Sequence, residues 1–353
     1  MVTIEELLTQ MVKRESSDLH ITSNSPPRIR IDGKLIAVDA DKLAPADTQK
    51  IVYSLLDSNQ VARFEKEKEL DFSFGIEGLG RFRTNVFFQR GAVGAVLRLI
   101  PTKIKTFADL GLPQGVCEGL CDLPKGLVLV TGSTGSGKST TLAAMIDYIN
   151  TKEYGHIITV EDPIEFVHNN KNCLVNQREV GSDTHEFKTA LRTVLRQDPD
   201  VVLIGEMRDA ETTEAALTIS ETGHLTFATL HTSDAVQTVN RIIDIFPAYQ
   251  QAQIRTQLSF TLSAVFSQQL LPRAAGKGRA LAAEIMIATS AIRSKIRDSK
   301  AHQIYSDIQT GSKQGMKTMN QALYELYKSR TISLDNALNA TTDPEDLKRL
   351  INQ

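Results

Sequence analysis

The stretch of sequence that decides the fold runs from an apolar segment into a glycine-rich loop: Leu127-Val128-Leu129-Val130-Thr131-Gly132-Ser133-Thr134-Gly135-Ser136-Gly137-Lys138-Ser139. The apolar run at 127–130 predicts a strand that is buried on both faces. The residues that follow the loop, 140–145, are compatible with a helix. A strand, a glycine-rich turn and a helix in this order fit the pattern G-x-x-x-x-G-K-[ST]. The stretch therefore predicts a phosphate-binding loop in an α/β domain.

The loop residues have the chemistry that a bound triphosphate requires. Glycines allow backbone N–H groups to turn towards phosphate oxygens, and the start of the next helix adds the positive end of its dipole. Lys138 would reach the β- and γ-phosphates, and the Ser139 hydroxyl would bind Mg²⁺. The alternative is a glycine- and serine-rich turn that fits the pattern by chance. We expect ATP and Mg²⁺ to bind here, with contacts from Gly132, Ser133, Thr134, Gly135, Ser136, Gly137, Lys138, Ser139 and Thr140.

Three further apolar runs follow downstream, at 157–160, 201–204 and 225–228. Helical patterns lie between several of them, at 186–196 and 210–221. Strands that alternate with helices predict a doubly wound α/β domain. In such a sheet the carboxyl ends of the strands meet at a crevice where the ligand binds.

Acidic and histidine residues lie at the ends of these predicted strands. Glu161 and Glu206 each follow a strand, whereas His224 precedes the last strand and His231 follows it. ATP hydrolysis needs one carboxylate to organise Mg²⁺ and another to orient the attacking water. Either glutamate alone could instead be a solvated cap, and either histidine could be a neutral buried side chain. The two glutamates together, downstream of the loop, favour a catalytic interpretation.

The first hundred residues predict an α+β domain. Asp32-Gly33 is a hairpin signal between two short runs of strand-forming residues. The predicted elements are a helix at 4–12, hairpin strands at 28–31 and 35–38, and a second β region at 71–100.

Arginines alternate with apolar residues in that second β region. Arg81 and Arg83 flank Phe82, and Arg98 lies in the following run. A P-loop enzyme often uses an arginine from a distant segment or a neighbour to stabilise charge on the γ-phosphoryl group. The alternative is that these arginines form the solvated face of a sheet. The spacing alone leaves both interpretations open.

Composition narrows the class of protein. The chain has 353 residues, of which 41% are hydrophobic and 23% charged, as in an ordinary globular protein of about two domains. Its net charge of −2 lacks the basic excess of a sequence-independent nucleic-acid binder. It contains no run of 18 apolar residues, and its first residues lack the features of a signal peptide. We therefore expect a cytoplasmic protein that binds no nucleic acid.

The order of four motifs closely resembles that of the secretion ATPases, the VirB11-like hexameric motors of type II secretion and type IV pili. The motifs occupy 132–139, 158–165, 204–209 and 221–232, and the similarity extends over essentially the whole chain. The resemblance implies a PAS-like α+β domain at 1–100, a linker at 101–115, a RecA-like ATPase core at 116–280 and a mostly helical region at 281–353.

The resemblance also implies roles for single residues. Glu161 would polarise the attacking water, and Glu206 would act on Mg²⁺ through a water molecule. His224 and His231 would sense the γ-phosphate or couple it to domain movement. In a homohexamer, three arginines of the first domain become candidates for contacting nucleotide across a subunit interface: Arg81, Arg83 and Arg98.

Within this family the chain most resembles the type IV pilus retraction ATPases of the PilT type. It lacks the four-cysteine zinc module and long N-terminal extension of the assembly and secretion ATPases. Residues 291–298 are similar to a helix motif associated with retraction, but Ser294, Lys295 and Asp298 stand where Asn, Leu and Glu are usual. The resemblance implies an inner-membrane platform protein of the pilus as partner, a paralogous retraction ATPase as a further candidate partner, and a position at the cytoplasmic face of the inner membrane.

Three alternatives to a retraction motor stay open at this point. The altered helix motif is compatible with an auxiliary nucleotide-gated ring whose own hydrolysis is dispensable. A paralogous pilus assembly motor would share the same four motifs. A RecA-like nucleic-acid motor is disfavoured by the near-neutral charge and the lack of a basic stripe.

Overall fold

The computed structural model describes residues 2–31 and 33–352, which form two compact units. The N-terminal unit comprises Met1–Thr102 and Pro163–Val167, and the C-terminal unit comprises Lys103–Asp162 and His168–Gln353. The chain therefore leaves the C-terminal unit after Asp162 and returns at His168, which the sequence did not predict. None of the helices in the described ranges is long and apolar enough to cross a membrane.

The N-terminal unit is an antiparallel sheet with helices on one face. Its described elements are α1 (Ile4–Lys13), β1 (Asp18–Ile21), β2 (Arg28–Ile31), β3 (Lys34–Ala37), α2 (Pro45–Tyr53), α3 (Ser58–Glu67), β4 (Glu69–Ile76), β5 (Gly80–Gln89) and β6 (Ala92–Ile100). The strands lie in the order β3-β2-β1-β6-β5-β4. Apolar side chains of α1, α2 and α3 pack with Leu19, Phe82 and Leu97, which are fully buried.

The alternation predicted for β5 is confirmed. Phe82, Thr84 and Val86 are buried, whereas Arg83 is exposed. The predicted hairpin is also confirmed, because β2 and β3 pair antiparallel. Asp32, which the hairpin prediction included, lies outside the described residues.

The C-terminal unit is a mainly parallel sheet between two layers of helices. Its described helices are α4 (Phe107–Leu110), α5 (Gln114–Cys121), α6 (Lys138–Lys152), α7 (Phe187–Val194), α8 (Ala210–Glu221), α9 (Ala235–Asp244), α10 (Ala248–Thr261), α11 (Ser290–Arg297), α12 (Ile304–Thr310), α13 (Met319–Lys328), α14 (Leu334–Ala340) and α15 (Pro344–Ile351). Its described strands are β7 (Gly126–Thr131), β8 (His156–Glu161), β9 (Leu174–Glu179), β10 (Val201–Ile204), β11 (Leu225–Leu230), β12 (Leu262–Pro272) and β13 (Arg279–Ile287). They lie in the order β13-β12-β7-β11-β10-β8-β9, and β13 alone among them runs antiparallel to its neighbour.

The continuous apolar runs are explained by burial on both faces of this sheet. Along β7, Leu127 and Leu129 pack with α7, α8 and α9, whereas Val128 and Val130 pack with α5 and α6 on the opposite face. Because successive strand residues point to opposite faces, a strand between two helical layers needs apolar residues at every position. The four strands and two helices predicted downstream of residue 125 are confirmed as β7, β8, β10, β11, α7 and α8.

Three strands of this sheet were not predicted, and the reason lies in their sequences. β9 is an edge strand with polar residues such as Asn176 and Gln177, so it lacks an apolar run. β12 follows α10 directly, with no glycine or proline between them. β13 is rich in alanine, which favours helix in the absence of tertiary contacts. Residues 281–287 are therefore strand and not part of the helical region, and the linker predicted at 101–115 already contains α4 and the start of α5.

A buried carboxylate joins β13 to two helix starts. Glu284 is 3% exposed, and its Oε1 accepts a hydrogen bond of 2.8 Å from the backbone N–H of Ala235, the first residue of α9. The backbone N–H of Met319, which begins α13, also donates to this carboxylate. Burial raises the pKa of Glu284 to about 7, although these two hydrogen bonds oppose the rise. Ionisation of Glu284 therefore destabilises the folded chain.

We expect Glu284→Gln to remove a pH dependence of the free energy of unfolding. The carboxyl group ionises near 4.5 in the unfolded chain, whereas the folded chain holds its proton up to about pH 7. Stability therefore falls as the pH rises between these values, by about 3 kcal/mol in total. Between about pH 5 and pH 8, the variant should gain about this amount relative to the native chain in urea titrations.

Glu345→Gln is the matched control, because the side chain of Glu345 is 85% exposed. Its unfolding free energy should follow that of the native chain at every pH. If the free energies of unfolding of the native chain and of Glu284→Gln depend on pH in the same way, the prediction is contradicted.

Candidate functional site

The glycine-rich loop follows β7 and wraps around the start of α6. Gly132 has φ +138°, and a Cβ atom there would lie 2.4 Å from the carbonyl oxygen of Gln268. Gly137, with φ +95°, is the residue that precedes the first turn of α6. Glycine is therefore required at both positions, by backbone conformation and, at Gly132, by close approach. The loop brings backbone N–H groups to the positive end of a helix of 15 residues.

The polar groups of the loop fit a chain of phosphates. The Nζ of Lys138 donates hydrogen bonds of 2.8 Å to the carbonyl oxygen of Gly132 and 3.0 Å to that of Ser133. The hydroxyl of Ser136 is buried and has no hydrogen-bond partner among the described residues. Burial lowers the pKa of Lys138, and the carboxylate of Glu206 opposes that shift. An anion in the loop would accept hydrogen bonds from these donors and stabilise the partly buried ammonium group.

Glu161 is the last residue of β8 and is 7% exposed. Its Oε1 accepts a hydrogen bond of 2.7 Å from Thr159 Oγ1 and one of 3.2 Å from Gln177 Nε2. Gly205, just after the neighbouring strand β10, packs closely on it, since a Cβ atom there would lie 3.2 Å from the Cα of Glu161. Glu161 therefore lies at the carboxyl edge of the sheet with its side chain held in place.

A second carboxylate at this edge belongs to a cluster of charged residues. The Nε of Arg208 donates to Glu206 Oε2 at 2.8 Å, and its Nη1 lies 3.3 Å from Asp162 Oδ2. The Nε2 of His231 lies 3.4 Å from Glu206 Oε1. The hydrogen bond to Glu206 is the main reason why the pKa of Arg208 is raised. Glu206 thus lies between an arginine and a histidine. Its negative charge also acts to raise the pKa of Lys138.

Sequence reasoning missed the role of Arg208 in this cluster. Arg208 belongs to the motif at 204–209, but its spacing from Glu206 does not indicate an ion pair. The next residue, Asp209, caps α8 by accepting a hydrogen bond from the Thr212 N–H. The sequence does carry a signal, because Asp209 is a typical helix cap and Arg208 is then the basic residue of the motif, without a local structural role.

His224 and His231 lie at opposite ends of β11. The carbonyl oxygen of His224 accepts a hydrogen bond from the N–H of Gly126, at the amino end of β7, whereas β11 ends with Leu230 beside Thr131. At about 3.3 Å per residue, His224 is about 20 Å from the edge that carries the loop. Within the C-terminal unit, His231 therefore joins the cluster and His224 does not.

The three candidate arginines belong to the N-terminal unit and share one face of its sheet. Arg83 and Arg98 pair across β5 and β6, and Arg81 is two residues from Arg83. The Nε of Arg98 donates to Asp18 Oδ1 at 2.8 Å. Burial acts to raise the pKa of Asp18, but hydrogen bonds from Ser17 and Arg98 outweigh it, and the pKa is lowered. Arg98 therefore has a local ion pair, and the nucleotide contact predicted for these arginines stays a prediction.

Mg²⁺ would have to share its ligands with the phosphates. Among residues 2–31 and 33–352, no group of three or more His, Cys, Asp or Glu side chains could hold a metal ion alone. Ser139 is the second residue of α6, directly after Lys138. The carboxylate of Glu206 interacts electrostatically with the ammonium group of that lysine. A hydroxyl, a carboxylate and phosphate oxygens are the hard ligands that Mg²⁺ prefers. These residues fit a metal that arrives with the nucleotide.

Comparisons with known proteins agree with this geometry. The chain is 49% identical to the type IV pilus retraction ATPase PilT of Pseudomonas aeruginosa, over 97% of this chain and 99% of the relative. It is 42% identical to the type IV pilus ATPase PilU of the same organism, over 98% of this chain and 91% of the relative. A crystal structure of the pilus retraction motor PilT with bound ADP matches with a TM-score of 0.92 and 51% identity, over 99% of this chain and 100% of that one. The model of the type II/IV secretion system protein family matches residues 1–328, and the chain belongs to this family.

Proposed function

We propose that this chain is the subunit of an ATP-hydrolysing motor that powers the retraction of type IV pili. The observation that carries the proposal is the similarity to PilT along nearly the whole length of both chains, in sequence and in structure. The carboxyl edge of the parallel sheet supports it, because Lys138 and Glu206 supply charges that phosphoryl transfer requires, and His231 lies 3.4 Å from the Glu206 carboxylate.

In the proposed reaction ATP and water yield ADP and phosphate. The phosphates bind in the loop at 132–139, where Lys138 exchanges its carbonyl partners for phosphate oxygens. Ser139 and, through water, Glu206 would hold Mg²⁺, which would supply neutralisation of the phosphate charge. Glu161 orients the attacking water and accepts its proton as the bond between the β,γ-bridging oxygen and the γ-phosphorus breaks.

The histidines and Arg208 act around this step. Arg208 and His231 hold the carboxylate of Glu206 between them, so His231 is suited to sense the γ-phosphate. His224 lies at the other end of β11, and we assign it to the coupling of nucleotide state to movement.

The proposal extends to assembly and location. The subunits form a homohexamer at the cytoplasmic face of the inner membrane and act on a pilus platform protein there. The candidates for contacting the nucleotide of the neighbouring subunit are three arginines: Arg81, Arg83 and Arg98. Their position on one sheet face supports a shared role, since a row of cations there can meet an anion from another subunit.

Deleting the gene in its host tests the proposed direction of action. A retraction motor should leave cells with excess surface pili and without surface motility, both of which can be counted under the microscope. Cells without pili would contradict retraction and indicate an assembly motor. Unchanged pili and motility would indicate a redundant or auxiliary subunit.

The auxiliary ring is the second candidate, and one observation favours it. α11 carries Ser294 and Lys295 where Asn and Leu are usual in retraction ATPases. Lys295 forms a 2.5 Å ion pair with Asp307 on α12, so this substitution has a structural use in the chain. Complementation of the deletion with Lys138→Ala separates the candidates, because an auxiliary ring should still restore motility and a motor should not.

A further inference from the structure

Gln177, on the edge strand β9, forms hydrogen bonds with both halves of its side-chain amide. Its Nε2 donates to Glu161 Oε1 at 3.2 Å, and its Oε1 accepts from the backbone N–H of His168 at 2.7 Å. Rotating the amide by half a turn would place an oxygen against the carboxylate and an NH₂ group against an N–H. Both contacts would then be repulsive, so this pair of partners specifies a single orientation of Gln177.

The strand register explains why Gln177 can reach Glu161. Gln177 pairs with Thr159 across β8 and β9, so the two side chains lie on the same face of the sheet. Glu161 is two residues further along β8 and shares that face. Thr159 and Gln177 therefore donate to the same carboxylate oxygen from two directions. Two donors restrict the rotation of the carboxylate far more than one does.

The other partner of Gln177 lies at the return of the chain into the C-terminal unit. Residues Pro163–Val167 belong to the N-terminal unit, and His168 is the first residue after them. His168 is 8% exposed, and burial lowers the pKa of its imidazole to about 4, so the ring is neutral at physiological pH. A buried, uncharged side chain anchors the backbone at this position. The hydrogen bond from its N–H therefore holds the side-chain amide of Gln177 in a fixed position.

We infer that Gln177 is a positioning residue that holds the carboxylate of Glu161 in the orientation required for hydrolysis and ties it to the chain at His168. The inference rests on the proposed function, since it deepens the role of Glu161. It assigns Gln177 no contact with nucleotide. Its effect should therefore reach turnover through Glu161.

Gln177→Leu tests this inference by removing both hydrogen bonds at similar volume. We expect kcat for ATP to fall about 10- to 100-fold, because a misplaced catalytic group costs rate and not binding. KM for ATP and the affinity for a fluorescent ATP analogue should stay close to those of the native chain. A kcat within about twofold of the native value would overturn the inference.

Gln177→Glu keeps the acceptor for His168 and the volume of the side chain, but it loses the donor to Glu161. It should also lower kcat, so the inference can still be tested if Gln177→Leu does not fold. The control is Asn176→Leu, because Asn176 is the exposed neighbour on β9 and points to the opposite face. This control should retain native kcat.

A double-mutant cycle shows whether Gln177 acts through Glu161. When Gln177→Leu is added to Glu161→Gln, single-turnover hydrolysis of labelled ATP should change by less than about twofold. A loss as large as in the native background would contradict the inference and leave the proposed function intact. Absence of turnover by the native chain itself would overturn the proposed function and this inference together.

Discussion

Glu161→Gln should lower the turnover number for ATP by about 10²- to 10⁴-fold while ATP still binds. The amide keeps the shape of the side chain, and its oxygen can still accept from Thr159 Oγ1. It can no longer accept a proton from the attacking water, which removes general-base assistance. Steady-state hydrolysis and the binding of a fluorescent ATP analogue, measured on the same preparation, separate the two effects.

Glu153→Gln is the matched control for this variant. Glu153 is exposed just before the amino end of β8, whereas Glu161 ends the same strand at its carboxyl edge. The control should hydrolyse ATP at the native rate. Native turnover by Glu161→Gln would show that another group orients the water.

Lys138→Ala should abolish turnover for a different reason, because it weakens nucleotide binding. A charge-assisted hydrogen bond to phosphate contributes about 1.5–3 kcal/mol, so the affinity for ATP should fall about 10- to 100-fold. The fold should be retained, since the Lys138 ammonium group donates its hydrogen bonds to two carbonyl oxygens of its own loop. Isothermal titration with a non-hydrolysable ATP analogue measures the loss.

Lys152→Ala controls for the removal of a lysine from the same helix. Lys152 ends α6 and pairs with Asp122 on the surface, where an ion pair contributes at most about 1 kcal/mol to stability. The control should bind nucleotide as the native chain does. Unchanged affinity in Lys138→Ala would show that the loop does not hold the phosphates.

The parts of the fold that could be predicted are those whose sequence has a single structural solution. The run at 201–204 is apolar at every position, and it is β10 with the predicted bounds. The run at 210–221 follows an aspartate that caps it, and it is α8. β13 could not be predicted, because its alanines favour helix locally and only pairing with β12 makes them a strand.

In the candidate site too, only the residues whose role depends on nearby sequence could be predicted. Lys138 could be predicted because it belongs to a short continuous motif, and Glu161 because it directly follows a predicted strand. Gln177 contacts Glu161 on the neighbouring strand, and Arg208 contacts Asp162 after that same strand. A single sequence does not show which residues of different segments meet in this way. His224 and His231 flank the predicted strand in the sequence, and β11 (Leu225–Leu230) places them at its opposite ends as that order predicts.

The central claim is that hydrolysis at this site drives pilus retraction, and the most direct measurement is the retraction of labelled pili in living cells. The host should carry Glu161→Gln at the native locus, with the protein present at native levels. The account predicts that pili extend but do not retract, as in the deletion strain. Retraction at the native frequency in this strain would contradict it.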